Sequence, residues 1–223
     1  MYRVAFLTVL LLSSIGLVAQ VATADSPFQF RYAANLNKGD SFINISNDGA
    51  NGASLLGPGI GSPVGNICVN VYAFSPDEQE IACCSCLVTP NGLASYSIKK
   101  DIISNTATGV VPTSVTIKLL ATLAGTGGSG TSCTNSAANV TTATIVTGMG
   151  AWMTTTHVST VTTPSPYWWQ PATTTTTTSY DETAFTPAIL SAGELASISL
   201  RCANIVGNGS GAGICKACTQ GGQ

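Results

Sequence analysis

Residues 66–88 read NICVNVYAFSPDEQEIACCSCLV, and this stretch decides the fold. Asn66–Phe74 and Glu80–Val88 are both rich in the β-branched, aromatic and small apolar residues that favour strands. Ser75-Pro76-Asp77-Glu78 between them supplies turn chemistry. The pair reads as an antiparallel hairpin. Its second arm carries IACCSC, Ile81–Cys86, in which three of the chain's 8 cysteines crowd together. Side chains alternate across a strand. Cys84 and Cys86 therefore share one face, and Cys83 takes the other. Three thiols so divided do not readily converge on one tetrahedral metal. A bond between the neighbours Cys83 and Cys84 lies outside ordinary disulfide geometry. Register counting around the turn puts Cys68 opposite residue 84, 85 or 86. Cys68 is therefore expected to pair with Cys84 or Cys86, leaving Cys83 for another layer.

The compartment supports disulfides. Arg3, the apolar run Val4–Val18 and the small-x-small Ala22-Thr23-Ala24 read as a signal peptide over residues 1–24. The run is short for a membrane anchor. Residues 25–223 then read as a single exported domain, secreted or at the cell surface, with no membrane span in the mature chain. An even number of cysteines in an exported chain argues for disulfides. The candidates are Cys68, Cys83, Cys84, Cys86, Cys133, Cys202, Cys215 and Cys218. Cys215 and Cys218 form a C-x-x-C, but little chain follows to build the helix that a redox motif needs. The pair reads as a staple for the tail. Bridges from Cys83–Cys86 to the tail would close very long loops, each worth about 4–5 kcal/mol by chain entropy as an upper figure. A zinc site built from Cys84 or Cys86 and the C-x-x-C is the alternative; the disulfide reading expects no metal and no cofactor.

Further strands follow from alternation. In DSPFQFRYAANL, Phe28, Phe30, Tyr32, Ala34 and Leu36 fall on one face of a half-buried strand. SFINIS (41–46) and TSVTIKLLATLAG (113–125) read as strands, the latter with a bend or bulge. NVTTATIVTGMGAWMTTTHVSTVTT (139–163) supplies either one strand or two joined by a hairpin around Gly148–Gly150. YSIKKDIIS is another strand or an edge. PSPYWWQPATTTTTTSYDE (164–182) reads as a Thr-rich loop between strands. One segment reads as a helix, near 191–206. Ser191 and Glu194 suggest a capping box, Leu195, Ile198, Cys202 and Ile205 recur at helical spacing, and Gly207 suits a stop. The expected fold is mainly β: an antiparallel, Ig-like β-sandwich with one C-terminal helix, stabilised by disulfides. A less regular β-barrel is the alternative.

Catalytic patterns are weak. The chain holds 8 Lys and Arg against 10 Asp and Glu, without the basic clusters that nucleic acid requires. GTGGSG (125–130) has the spacing of a dinucleotide loop, but TSCTNS after it is no helix. SIKK (97–100) matches S-x-x-K without its partner elements. His157 is the sole histidine and sits in a Thr-rich strand. Asp77, Glu78 and Glu80, and likewise Asp181 and Glu182, read as turn residues. The sequons at Asn44, Asn139 and Asn208 matter only in a glycosylating host. The Thr173–Thr178 run reads as a strand tip, a flexible loop or an O-glycosylation target.

Two features point to binding. Tyr167, Trp168 and Trp169 form an aromatic cluster suited to stacking on sugar rings or to an interface. The first mature strand, with Phe28, Phe30, Tyr32 and Leu36, either completes its own sheet or crosses into a neighbouring copy as a donor strand.

FRYAANLNKGDSFINISNDGA, NICVNVYAFSPDEQEIACCSCLVTPNGL and the terminal GSGAGICKAC together resemble a family of secreted, Cys-rich bacterial proteins of acidobacterial type. The resemblance spans most of the mature chain and is densest from Asn66 to Leu93. PYWWQPATTTTTTSY falls outside the shared pattern. The resemblance implies export from a bacterium, silent sequons and no particular chemistry. The expected function is non-enzymatic: a secreted structural or surface protein, a subunit of a filament assembled by strand donation. The alternative is a carbohydrate-binding module using Tyr167, Trp168 and Trp169. The partners are then further copies of the chain or an extracellular polysaccharide.

Overall fold

A computed structural model describes residues 25–57, 62–134 and 136–218. The expected signal peptide lies outside the described residues. The strands are β1 (Phe28–Ala33), β2 (Ser41–Asn47), β3 (Ile67–Phe74), β4 (Glu80–Val88), β5 (Leu93–Ser97), β6 (Val115–Leu123), β7 (Met149–Thr163), β8 (Thr173–Ala184) and β9 (Thr186–Pro187). One α-helix follows, α1 (Ala192–Gly207). The strands form two antiparallel sheets, ordered β4-β3-β6-β1-β9 and β5-β2-β7-β8.

The β3–β4 half of the first sheet is covered on both faces, which explains its sequence. β3 and β4 are buried at every residue, so they read as nearly continuous apolar runs rather than a clean alternation. One face meets the second sheet in a core containing Ile43, Ile45, Val69, Val71, Ile117 and Leu119. The other face carries α1, and there Phe28, Tyr72 and Leu120 pack on Leu195, Ile198 and Ile205. The helix is thus a third layer upon a β-sandwich. Of the expected capping box the Ser191 half is present: Ser191 Oγ accepts from the Glu194 N–H at 3.1 Å. The Glu194 carboxylate pairs with Lys118 on β6, fastening the helix to the sheet.

Sheet edges are managed unequally. The outer edge of β4 is covered by the C-terminal tail, where the Cys83 N–H donates to Gly213 O at 2.8 Å. On the same strand Ile81 O accepts from the Ala107 N–H at 2.7 Å. β9 is two residues and β5 five. β8 is a twelve-residue edge strand, exposed at every position.

Several expectations need correction. The segment 164–182 is a loop only over 164–172; from Thr173 the Thr run pairs with β7 as a regular strand. Thr is β-branched and favours extended backbone even without burial. β7 is one strand through Gly150, which pairs with Ser46, so no hairpin forms there. YSIKKDIIS divides into the end of β5 and a π-helical turn, Ile98–Ile102. β1 lies inside its own sheet, between β6 and β9. Its faces are also not those expected. Phe28 is buried under α1, but Phe30 and Tyr32 on the same face are 39% and 56% exposed. The opposite face points at the second sheet, where buried Gln29 donates to Met149 O at 2.9 Å. Leu36 leaves the alternation altogether. Asn35 takes a left-handed φ of 55°, which turns the chain and drops Leu36 into the core between the sheets.

Candidate functional site

IACCSC is a two-sided junction. The β3–β4 register sets Val71 opposite Cys84 and Val69 opposite Cys86, so both cysteines face the core between the sheets. There they meet the tail, in the bonds Cys84–Cys215 and Cys86–Cys218. Cys83, opposite Tyr72, faces the helix layer and bonds Cys202 of α1. The division of faces expected from alternation is therefore present. The partner expected for Cys68 is not. Cys68 lies opposite Leu87, one position beyond the expected register, and bonds Cys133. Residues directly opposite in an antiparallel pair share a face. Cys68 thus stands on the face opposite to Cys84 and Cys86 and has no path to either. It packs instead with Leu87, Ala124 and Cys133 beneath the segment after β6. Among the described residues no cysteine is free. The sulfurs of Cys84, Cys86 and Cys218 lie within 4.8 Å of one another, a spacing compatible with a metal, but each is already committed to a disulfide. The sulfurs of the Cys84–Cys215 and Cys86–Cys218 bonds do not fit the zinc alternative while oxidised, because the ligand is the thiolate.

One residue expected in the acidic turn belongs to the strand. Asp77 stays in the turn, accepting from Gln79 Nε2 at 2.9 Å, and Glu78 has a left-handed φ of 65°. Glu80 is buried, 8% exposed. A register shift between Ala73 and Phe74 sets Phe74 opposite Glu80 and Ala73 opposite Ala82. That bulge resets the phase and turns Glu80 toward Cys83 and Cys202 under the helix. Neither carboxylate oxygen has a hydrogen-bond partner. Burial pushes the carboxyl up to about 8, against the opposing pull of Arg201 and Lys118. Above it, Lys118 lies 4.4 Å and Arg201 5.8 Å from the centre of the Phe74 ring. Arg201 also donates to Glu78 O at 2.8 Å. These contacts pin α1 over the bulge. The sequence signal that could have revealed Glu80 is its place inside the apolar arm rather than in the turn.

The other candidate patterns have structural roles. Ser97 of SIKK caps the π-helical turn by accepting from the Lys100 N–H at 2.9 Å, and it donates to Asp40 at 2.6 Å. GTGGSG forms a short 3-10 turn with positive φ at Gly125, Gly127 and Gly128. Asn44 of the first sequon is buried and donates to Thr154 Oγ1 at 2.8 Å, so a glycan there would break a packed contact. A groove of about 340 Å³ lies near Pro63, Val64, Leu87 and Pro90, and its described lining holds no titratable side chain.

The β7–β8 hairpin is the most exposed feature. β2 accompanies β7 only from Met149 to Thr155. From His157 to Thr163 β7 has β8 alone, so a two-stranded ribbon projects roughly 24 Å at 3.4 Å per residue. His157 Nε2 lies 3.0 Å from Asp181 Oδ2 across it, in an open setting with the two side chains 50% and 72% exposed. Glu182 lies opposite Thr154. At the tip, the Tyr167 and Trp169 rings stack at 4.9 Å, and Trp168 meets Trp169 edge-on at 5.6 Å. Trp168 is 92% exposed. The three aromatics are thus brought together, while Phe28, Phe30, Tyr32 and Leu36 are dispersed over two layers. No helix among the described residues is long and apolar enough to cross a membrane. Comparisons with protein-family models, curated proteins and solved structures return no match to the chain.

Proposed function

We propose that this is a non-enzymatic structural protein of the extracellular space or cell surface, built to assemble into larger material. The observation that carries the reading is the contrast between body and hairpin. The body is locked by four disulfides and its β4 edge is covered. The hairpin leaves a twelve-residue strand edge open. Open edges are templates for further strands, and natural proteins ordinarily blunt them. Four disulfides suit an oxidising compartment, in keeping with the signal-like N-terminus and with the resemblance to secreted bacterial proteins. The exposed His157–Asp181 pair lacks the water-excluded setting that electrostatic catalysis uses.

Filament growth by donation of residues 28–36 would exchange β1 between copies, each filling the slot between β6 and β9 of the next. Native sedimentation tests the reading. The secreted protein should run as large particles, and deletion of residues 25–38 should abolish the growth that depends on exchange. A wild-type chain that stays monomeric at every concentration would remove the assembly reading.

The second reading is a carbohydrate-binding module, favoured by the solvent-facing Tyr167, Trp168 and Trp169. Aromatic rings stack on the apolar faces of sugars. A polysaccharide should then quench tryptophan fluorescence, and Trp168→Ala with Trp169→Ala should remove the response without loss of stability. Silence across a broad glycan panel would end this reading.

A further inference from the structure

We propose that β8 is a self-pairing edge: two copies of this chain join antiparallel, β8 to β8, into a continuous β7-β8-β8-β7 sheet. The inference rests on the assembly reading above and names its first contact. A lone two-stranded ribbon has little independent stability in water. Here the ribbon from His157 onward has neither face covered, and all of β8 is exposed. Its outer edge is open to a partner strand of matching chemistry.

The best match on the page is β8 itself. Thr173–Thr178 carries no charge and no proline, and such a run pairs with its own copy with Thr facing Thr. The hairpin already uses this pairing on its inner side, with Thr160 opposite Thr176, Thr162 opposite Thr174 and Thr163 opposite Thr173. Cross-strand Thr pairs are favourable in sheets.

Charge then fixes the direction. Asp181 and Glu182 sit at the C-terminal end of β8. Parallel pairing would set them against their own copies. Antiparallel pairing centred on Thr176 separates the two Asp181 positions by roughly 34 Å. That is far beyond the screening length of about 8 Å at physiological salt. A two-fold axis normal to the sheet requires a residue to face itself, and Thr176 does so in this register. Thr174 then faces Thr178 of the second copy. Such an isologous contact closes as a dimer. The dimer is the unit that a second contact, such as β1 exchange, would extend.

The test is sedimentation of the full oxidised chain over low to high micromolar concentrations. Wild type should reach at least twice the chain mass. Thr174→Lys with Thr178→Lys sets lysine against lysine across the axis and should lose this contact, halving the mass of the dimer. Thr174→Lys with Thr178→Glu sets lysine against glutamate and should restore it. Circular dichroism and disulfide content should be unchanged in both variants, because the positions lie outside the packed body. If wild type associates and neither variant alters it, β8 is not the interface, although the assembly reading survives. If wild type is monomeric throughout, both are overturned. Restored mass in the Lys/Glu variant alone identifies self-pairing in this register; a dimer lost in both variants contradicts it.

Discussion

Glu80 shows how much one side chain can hold in reserve. Its carboxyl is buried without a hydrogen-bond partner and titrates at about 8 instead of 4.5. The folded state therefore binds the proton more tightly than the unfolded chain. The contribution is fully present below pH 4.5 and is lost as pH rises through 8. The span corresponds to about 4–5 kcal/mol as an upper figure. Denaturant titrations of Glu80→Gln should be flatter across that window than those of wild type, and the variant should be the more stable of the two at pH 9. Equal slopes would mean that Glu80 is hydrated or paired. The cysteines give a second prediction at this scale. Cys68–Cys133 spans 65 residues and Cys83–Cys202 spans 119. Loop entropy grows only logarithmically, so the two differ by about 0.5 kcal/mol on that account. Replacing either pair by alanine should cost about 2–5 kcal/mol in guanidinium unfolding. Only loss of the Cys83–Cys202 pair should also expose the underside of α1 to a hydrophobic dye.

At the scale of elements, alternation was legible where a strand is regular and failed where it bends. It placed Cys83 apart from Cys84 and Cys86, and the helix stripe Leu195, Ile198, Cys202, Ile205 is the buried face of α1. It misplaced Leu36 because Asn35 turns the chain, while Glu80, read as a turn residue, belongs to β4 beside a bulge. Cys68 failed by one residue of register, enough to move a side chain to the other face. The Thr-rich strand was missed because hydrophobic period carries the strand signal, and a strand with neither face buried has no such period. The same exposure makes a measurable contrast. In dilute solution, amide hydrogens from His157 to Ser179 should exchange far faster than those of β3, which is buried at every residue. Exchange in Thr173–Thr178 should slow as concentration rises. Uniform protection at all concentrations would show that the ribbon is covered within its own chain.

The whole molecule combines a body cross-linked by four disulfides with a hairpin whose edge strand is open. Both sheets, the helix and the tail converge on β4, whose cysteines bond the helix on one side and the tail on the other. This cross-linking leaves the β7–β8 hairpin as the part free to engage a neighbour. The candidate site was legible in the sequence as chemistry: Tyr167, Trp168 and Trp169 and the Thr run stand out by composition. Its geometry was not, because projection beyond the body depends on where β2 ends its pairing with β7. Treatment with a reductant should therefore release the tail and helix before it disturbs the hairpin, since no cysteine lies between Met149 and Ala184. The central claim is that this locked body assembles with its own copies. Electron microscopy of the native, oxidised protein tests it most directly. The account predicts ordered particles larger than one chain, with a repeat set by the two-fold β8 contact. A field of separate single-chain globules would contradict it.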